Sequence, residues 1–166
     1  PAQFRDGQLE QDITDALSAH GLPGESLEIE ITENIALQQD EAIVAAFRRL
    51  SSLGVNLAFD DFGTGYASLS CLTRYPLNRI KIDRSFIGPL TGDGETAEAA
   101  IVRPMITMAH YLGLEVIAEG IETIEQVRFL RSMGCEEGQG YFYAEPVPAQ
   151  SFEQLLAREP FRVVAA

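Results

Sequence analysis

Phe59-Asp60-Asp61-Phe62-Gly63-Thr64-Gly65-Tyr66 follows the run Val55-Asn56-Leu57-Ala58, and this junction decides how the rest of the chain is read. A short β-rich run that ends in two adjacent carboxylates and a Gly-Thr-Gly segment has the form of a buried strand delivering acids to a loop. Successive side chains of a strand point to opposite faces. Asp60 and Asp61 therefore reach one site only where the strand stops and the backbone turns, a turn that the glycines allow. Two carboxylates brought together raise each other's pKa unless a cation neutralises them, and hard oxygen ligands suit magnesium, manganese or calcium. Taken alone, the pair has a plainer reading, in which one Asp caps the next helix and the other faces water.

On either side of this junction the apolar pattern alternates between two periods. Leu9, Ile13 and Leu17 recur at helical spacing until Gly21 and Pro23 stop them, and Leu27 to Glu33 alternates as a strand. Asp40 to Leu53 reads as a helix that Gly54 ends, and Val55 to Phe59 as the next strand. A short helix over Ser68 to Tyr75 precedes a strand over Arg79 to Asp83, and a loop over Pro89 to Thr96 leads into a helix from Ala97 to Leu112. Leu114 to Ala118 is a fourth strand, Thr123 to Met133 a helix, and Cys135 to Phe142 the last unit before a closing helix over Phe152 to Ala157. Strand and helix thus alternate about five times, which predicts a parallel sheet with right-handed crossovers. Five units fit either a doubly wound domain or part of an eight-unit barrel of ~250 residues.

At 166 residues and 46% hydrophobic, the chain is long enough for one domain with a real core. A net charge of -13 argues against a general surface for duplex DNA or RNA, whose phosphates need Lys and Arg, although one small phosphate ligand remains compatible if metal ions stand between the charges. No apolar run reaches the ~20 residues that span a bilayer, and no signal peptide is visible, so no membrane insertion is expected. Cys71 and Cys135 lack metal-type spacing and read as two reduced thiols of a cytosolic protein. The chain opens on Pro1 rather than Met, and reads as a piece of something longer.

In both architectures sites gather at the C-terminal ends of the strands. There this chain places Glu30 and Glu33, Asp60 and Asp61, Lys81 and Asp83, Glu119 and Glu122, and Gln139. Acids at four strand ends and an amide at the fifth outweigh the plainer reading of the pair, because scattered surface acids would show no such register. Two metals held by shared carboxylates suit phosphodiester hydrolysis, since they ionise water and stabilise the leaving oxygen. Lys81 would position the water or offset phosphate charge; on its own it would read as a snorkelling strand-end lysine. His20 ends a helix beside Gly21 and His110 lies within one, where capping and packing are the expected roles.

The runs Glu30-Ile-Thr-Glu33, Asp60-Asp-Phe-Gly-Thr-Gly-Tyr66, Lys81-Ile-Asp-Arg-Ser-Phe86, Ala118-Glu-Gly-Ile-Glu122 and Gln139-Gly-Tyr141, in this order, resemble the EAL domain family. The resemblance implies a cyclic di-GMP phosphodiesterase on a TIM-like (β/α) barrel, present here as a partial barrel of about five βα units in a single domain over residues 1–166. By that resemblance Glu30, Asp60, Asp61 and Glu119 match metal ligands, with Asp60 bridging two ions. Lys81 matches the lysine that holds the attacking water, and catalysis would rest on Lys81, Glu119 and Asp60. Gln139 and Glu122 would belong to the substrate pocket, although a first-turn or capping acid is an equal reading of Glu122. Glu33 would brace the loop of Gly63, Thr64 and Gly65. The cofactor implied is Mg2+ or Mn2+ at a two-metal site, with Ca2+ inhibitory or non-productive. A homodimer, further domains in the parent chain and a cytoplasmic location are also implied, with the parent protein allowed a membrane attachment.

Several features depart from the family pattern. The Glu-Ala-Leu tripeptide, whose glutamate is a metal ligand, does not occur in this chain, and the family's asparagine ligand and substrate-binding arginine are missing with it. Ala67 stands for a usual serine and Glu136 for a usual aspartate. The chain is therefore expected to be the C-terminal two-thirds of the domain, and weak or inactive unless a partner completes the barrel. The alternative from another class is a non-catalytic cyclic di-GMP receptor, against which the intact acidic motifs argue. A five-unit phosphoacceptor module would place its acid pair after the first strand and its lysine after the last, an order this chain lacks.

Overall fold

The computed structural model describes residues 8–32, 35, 40–65, 69–91 and 96–157. Helix α1 (Gln8–His20) and a short 3-10 turn lead to strand β1 (Glu28–Ile31), followed by α2 (Glu41–Ser52) and β2 (Asn56–Phe62). Then come α3 (Ser70–Arg74), β3 (Arg79–Ile82), α4 (Arg84–Ile87), α5 (Ala97–Tyr111), β4 (Glu115–Glu119), α6 (Ile124–Ser132), β5 (Glu137–Gln139) and α7 (Ala149–Ala157). Of these, α4 is an element that the sequence pattern did not predict; Asp83 nucleates it by accepting the Ser85 N–H at 2.9 Å.

All five strands are parallel and stand in the order β1-β2-β3-β4-β5, each paired with its successor. A doubly wound sheet reverses its order at a switch point, whereas a barrel adds every strand in one direction. The sheet is accordingly a segment of a (β/α) barrel, which settles the choice that the pattern left open.

Alternation along the strands gives the sheet two different faces. Ile31, Leu57, Phe59, Ile80, Ile82, Val116 and Ala118 point outward and are at most 1% exposed. They pack under Phe47 and Leu50 of α2, Val102 and Ile106 of α5, and Val127 and Leu130 of α6. Burying a side chain of this size contributes roughly 1.5–3 kcal/mol each, so this layer holds the strands in register. The opposite face, which lines the barrel, carries Glu28 and Glu30, Asp60, Arg79 and Lys81, Glu115 and Glu119, and Glu137 and Gln139.

Candidate active site

The turn that joins the two aspartates differs from the one expected. Strand β2 does not stop at Phe59 but runs through both acids to Phe62. Its register against β3 passes from Phe59 opposite Ile80 to Phe62 opposite Ile82, so one extra residue is accommodated as a bulge. Asp61 takes it up at φ 55, a left-handed conformation that Asp tolerates better than most side chains. The bulge, rather than the glycines, turns the second carboxylate toward the first. Thr64 locks it: its backbone N–H and its Oγ1 both donate to the Asp61 carbonyl, at 3.2 and 2.9 Å. Gly63 is required for contact, because a Cβ there would lie 2.5 Å from Met105 Cε and 3.0 Å from Phe86. Thr64 and Gly63 thus fix the turn that follows β2; Glu33, expected to brace this loop, lies outside the described residues, as do Ala67 and Tyr66.

Carboxylate oxygens of Asp60, Asp61 and Glu119 lie within 4.8 Å of one another. This all-oxygen set fits a hard divalent cation. Between them and Glu30 stands Lys81, only 5% exposed, so it is a buried ammonium and not a snorkelling one. Its Nζ lies 2.5 Å from Glu30, 2.6 Å from Glu119 and 3.2 Å from Asp60. Burial alone would lower its pKa, but hydrogen bonds to Glu119 and Glu30 and the charges of Glu119 and Asp60 outweigh it and hold the lysine above its usual value. Glu30, expected beside the aspartates, is bonded to Lys81 instead, with its side chain half-exposed.

The Asp61 carboxyl is pushed above its ordinary range by desolvation and then by the charges of Asp60, Asp83 and Glu30, against the pull of Lys81. Asp83 is placed elsewhere: as the cap of α4 it accepts N–H bonds that outweigh its burial and lower its pKa. Gln139 ends β5 in register with Glu119, and both line a polar pocket with Glu122. Glu122 is not a capping acid, because Thr123 is the N-cap of α6.

Two residues that build the site were not singled out from the sequence. Gln126 is buried, accepts the backbone N–H of Glu122 and Thr123, and donates to the carbonyls of Ile87 and Gly88. Its signal was the Thr-x-x-Gln capping box. Arg79, two residues before Lys81, pairs with Glu28, Glu115 and Glu137; its signal was the acid at the start of three strands. His110 does more than pack, since its Nε2 lies 3.1 Å from Glu136, which also accepts the Val116 N–H. No helix among the described residues is long and apolar enough to cross a membrane, and neither Cys71 nor Cys135 forms a disulfide.

The EAL domain family model matches residues 1–146. The bifunctional diguanylate cyclase/cyclic di-GMP phosphodiesterase MucR of Pseudomonas aeruginosa is 41% identical over 155 residues, 93% of this chain and 22% of MucR. The structure of the MucR phosphodiesterase with c-di-GMP superposes at a TM-score of 0.80, with 38% identity over 90% of this chain and 60% of that one. The EAL domain of Mycobacterium smegmatis DcpA gives 0.82 and 37%, over 92% and 67% of the two chains. Klebsiella pneumoniae BlrP1 was solved with c-di-GMP and manganese (0.73, 32%, over 85% and 35%) and with c-di-GMP and calcium (0.70, 34%, over 81% and 34%). The chain spans 18–22% of the length of the first curated relatives it matches. Sheet order, the acidic strand ends and these matches agree: the chain belongs to the EAL domain family.

Proposed function

We propose that the domain to which this chain contributes is a metal-dependent phosphodiesterase that hydrolyses cyclic di-GMP to linear pGpG. The observation that carries this reading is the convergence of Asp60, Asp61 and Glu119 beside a buried Lys81 at the strand ends. Relatives that are cyclic di-GMP phosphodiesterases, and the complex of BlrP1 with manganese and the dinucleotide, support it.

Asp60, Asp61 and Glu119 would hold magnesium or manganese, with Glu30 joining them by leaving Lys81; Glu30 is the most exposed of the ammonium's three partners. Divalent ions bound there lower the pKa of water and offset the charge of the phosphodiester. Lys81, freed of one acid, donates to the attacking water or to a phosphate oxygen and so orients the attack. Attack at phosphorus breaks the bond to the ribose O3′, the leaving oxygen takes a proton, and a linear dinucleotide with a 5′-phosphate results. Gln139 and Glu122 face the substrate from the adjoining pocket. The reading extends to a cytoplasmic homodimer joined to other domains, with this chain by itself weakly active or inactive because its sequence contains no Glu-Ala-Leu motif.

The test is product analysis after incubating cyclic di-GMP with magnesium or manganese, using this chain and a form extended upstream. Linear dinucleotide from the extended form alone is the expected result. Binding by the extended form without turnover would replace the enzyme with a cyclic di-GMP receptor that signals through a partner.

A further inference from the structure

Among the described residues two polar side chains are buried, Lys81 at 5% exposure and Gln126 at 3%. Lys81 stands in the carboxylate cluster, whereas Gln126 lies outside it, in the first turn of α6. A buried amide is costly unless its hydrogen-bonding capacity is met, and Gln126 meets all of it. Its Oε1 accepts the N–H of Glu122 and of Thr123, at 2.7 and 3.0 Å, and its Nε2 donates to the carbonyls of Ile87 and Gly88, at 3.1 and 3.0 Å. A capping box needs only one of these four bonds, the one from the Thr123 N–H. The others join the segment after Glu119 to the end of α4.

Helix α4 is a single turn, too short to stand on its own hydrogen bonds. Asp83 holds its start, and Gln126 holds its last carbonyls. Fixed at both ends, it touches the exits of three strands. It follows Lys81 through Ile82 and Asp83. The root of Arg84 presses on Gly120, next to Glu119, where a Cβ would lie 2.4 Å from the Arg84 Cβ. Phe86 presses on Gly63, in the turn after Asp61, where a Cβ would lie 3.0 Å from its ring. The short helix is a wedge between the strand ends that carry Asp61, Lys81 and Glu119.

We propose that Gln126 is a positioning residue for the divalent cation, an inference that rests on the function proposed above: by anchoring α4 it sets the separation of Asp61, Lys81 and Glu119. Its four bonds go to backbone atoms and to none of those three side chains, so it acts through α4 and through residues 120–122. A carboxylate would serve the capping box equally well. Only an amide offers an acceptor toward α6 and donors toward α4 at once.

The experiment measures manganese affinity from the loss of the free ion's paramagnetic resonance signal, in whichever of the two forms compared above binds manganese and in its Gln126→Glu, Gln126→Asn and Thr123→Ala variants. Gln126→Glu keeps the acceptor for α6 and loses both donors to α4. Gln126→Asn keeps the amide but is one methylene short of spanning the gap; it buries no charge, and so covers the case in which Gln126→Glu does not fold. Either change should weaken manganese binding roughly tenfold, as the loss of groups that orient metal ligands does. Thr123→Ala removes the side-chain cap of α6 and leaves the link to α4 in place, so it should lower the denaturation midpoint and keep the manganese affinity. Unchanged affinity in the Gln126 variants, or an equal loss in Thr123→Ala, would overturn the inference and reduce Gln126 to a helix cap. If neither form binds manganese, the metal-dependent function itself fails and this inference falls with it.

Discussion

The inner face of the sheet carries two layers of charge built on one strand, and they differ in what is left over. Arg79, near the start of β3, uses Nη1, Nε and Nη2 on one glutamate each: Glu28 at 3.2 Å, Glu115 at 2.7 Å and Glu137 at 3.0 Å. Lys81, two residues on, also meets three acids, Glu30, Asp60 and Glu119. In the first layer every acid has its partner and each nitrogen of the guanidinium is engaged. In the second, the bulge of β2 adds a fourth carboxylate, Asp61, which the ammonium does not reach within ion-pair distance and whose pKa is raised. A layer that closes on itself builds structure; a layer with an acid in excess invites a cation from solution. The bulge is therefore the step that turns a structural motif into a site.

Removing the cation from the open layer should have the largest effect. Lys81→Met leaves Glu30, Asp60 and Glu119 facing one another without compensation, and should destabilise the fold by about 3 kcal/mol in denaturant titrations. An unchanged midpoint would mean that the ammonium does not hold the strand ends together. Manganese sharpens the contrast. At a hundredfold excess over its dissociation constant it should stabilise the native protein by about 2.7 kcal/mol, a shift that Asp61→Asn should largely abolish. Arg79→Met should lower stability by about 1–2 kcal/mol, because its glutamates are partly solvated, and yet keep the manganese shift. The reverse pattern, with the shift lost in Arg79→Met and kept in Asp61→Asn, would break the division into a structural and a cation-binding layer.

What the sequence made legible follows from the same geometry. The outer face was plain, because Ile80 and Ile82, or Leu57 and Phe59, recur with the period of a strand under helices. The acids at the strand ends were plain for the same reason. The bulge was not, since a strand pattern carries no mark of an inserted residue when the insertion is itself an aspartate that tolerates φ 55. Nor was α4, whose four residues Arg84–Ile87 are too few to show a helical period. Glu30 was assigned with the aspartates from its place in the order of motifs; its bond to Lys81 depends on which side chains converge in space, and β1 lies two strands from β3. Arg79 and Gln126 were missed because their partners lie 36 and 51 residues away, or 38 and 39.

The smallest effect concerns Cys135, which borders the Arg79 layer beside Glu137. Its thiol donates to the carbonyls of Val116 and Glu137 at 3.4 and 3.3 Å. Burial, and then the charge of Glu136, push its pKa up to about 11 from an ordinary 9.0. At pH 8 the native thiolate is then roughly one part in a thousand, so iodoacetamide should label the folded protein far more slowly than the unfolded chain. The linked effect on stability has a definite sign. Between pH 9 and 11 the native thiol keeps a proton that the unfolded one has lost, so its contribution is complete below pH 9 and declines as pH rises toward 11. On going from pH 8 to 10 the protein should lose about 1 kcal/mol more than a Cys135→Ala variant, a difference that cancels the titration of other groups. Fast native labelling, or identical pH profiles for the two proteins, would show that water already reaches the Cys135 thiol beneath β5. The Arg79 layer would then be as open as the one above it, and the excess acid at Asp61 alone would distinguish them.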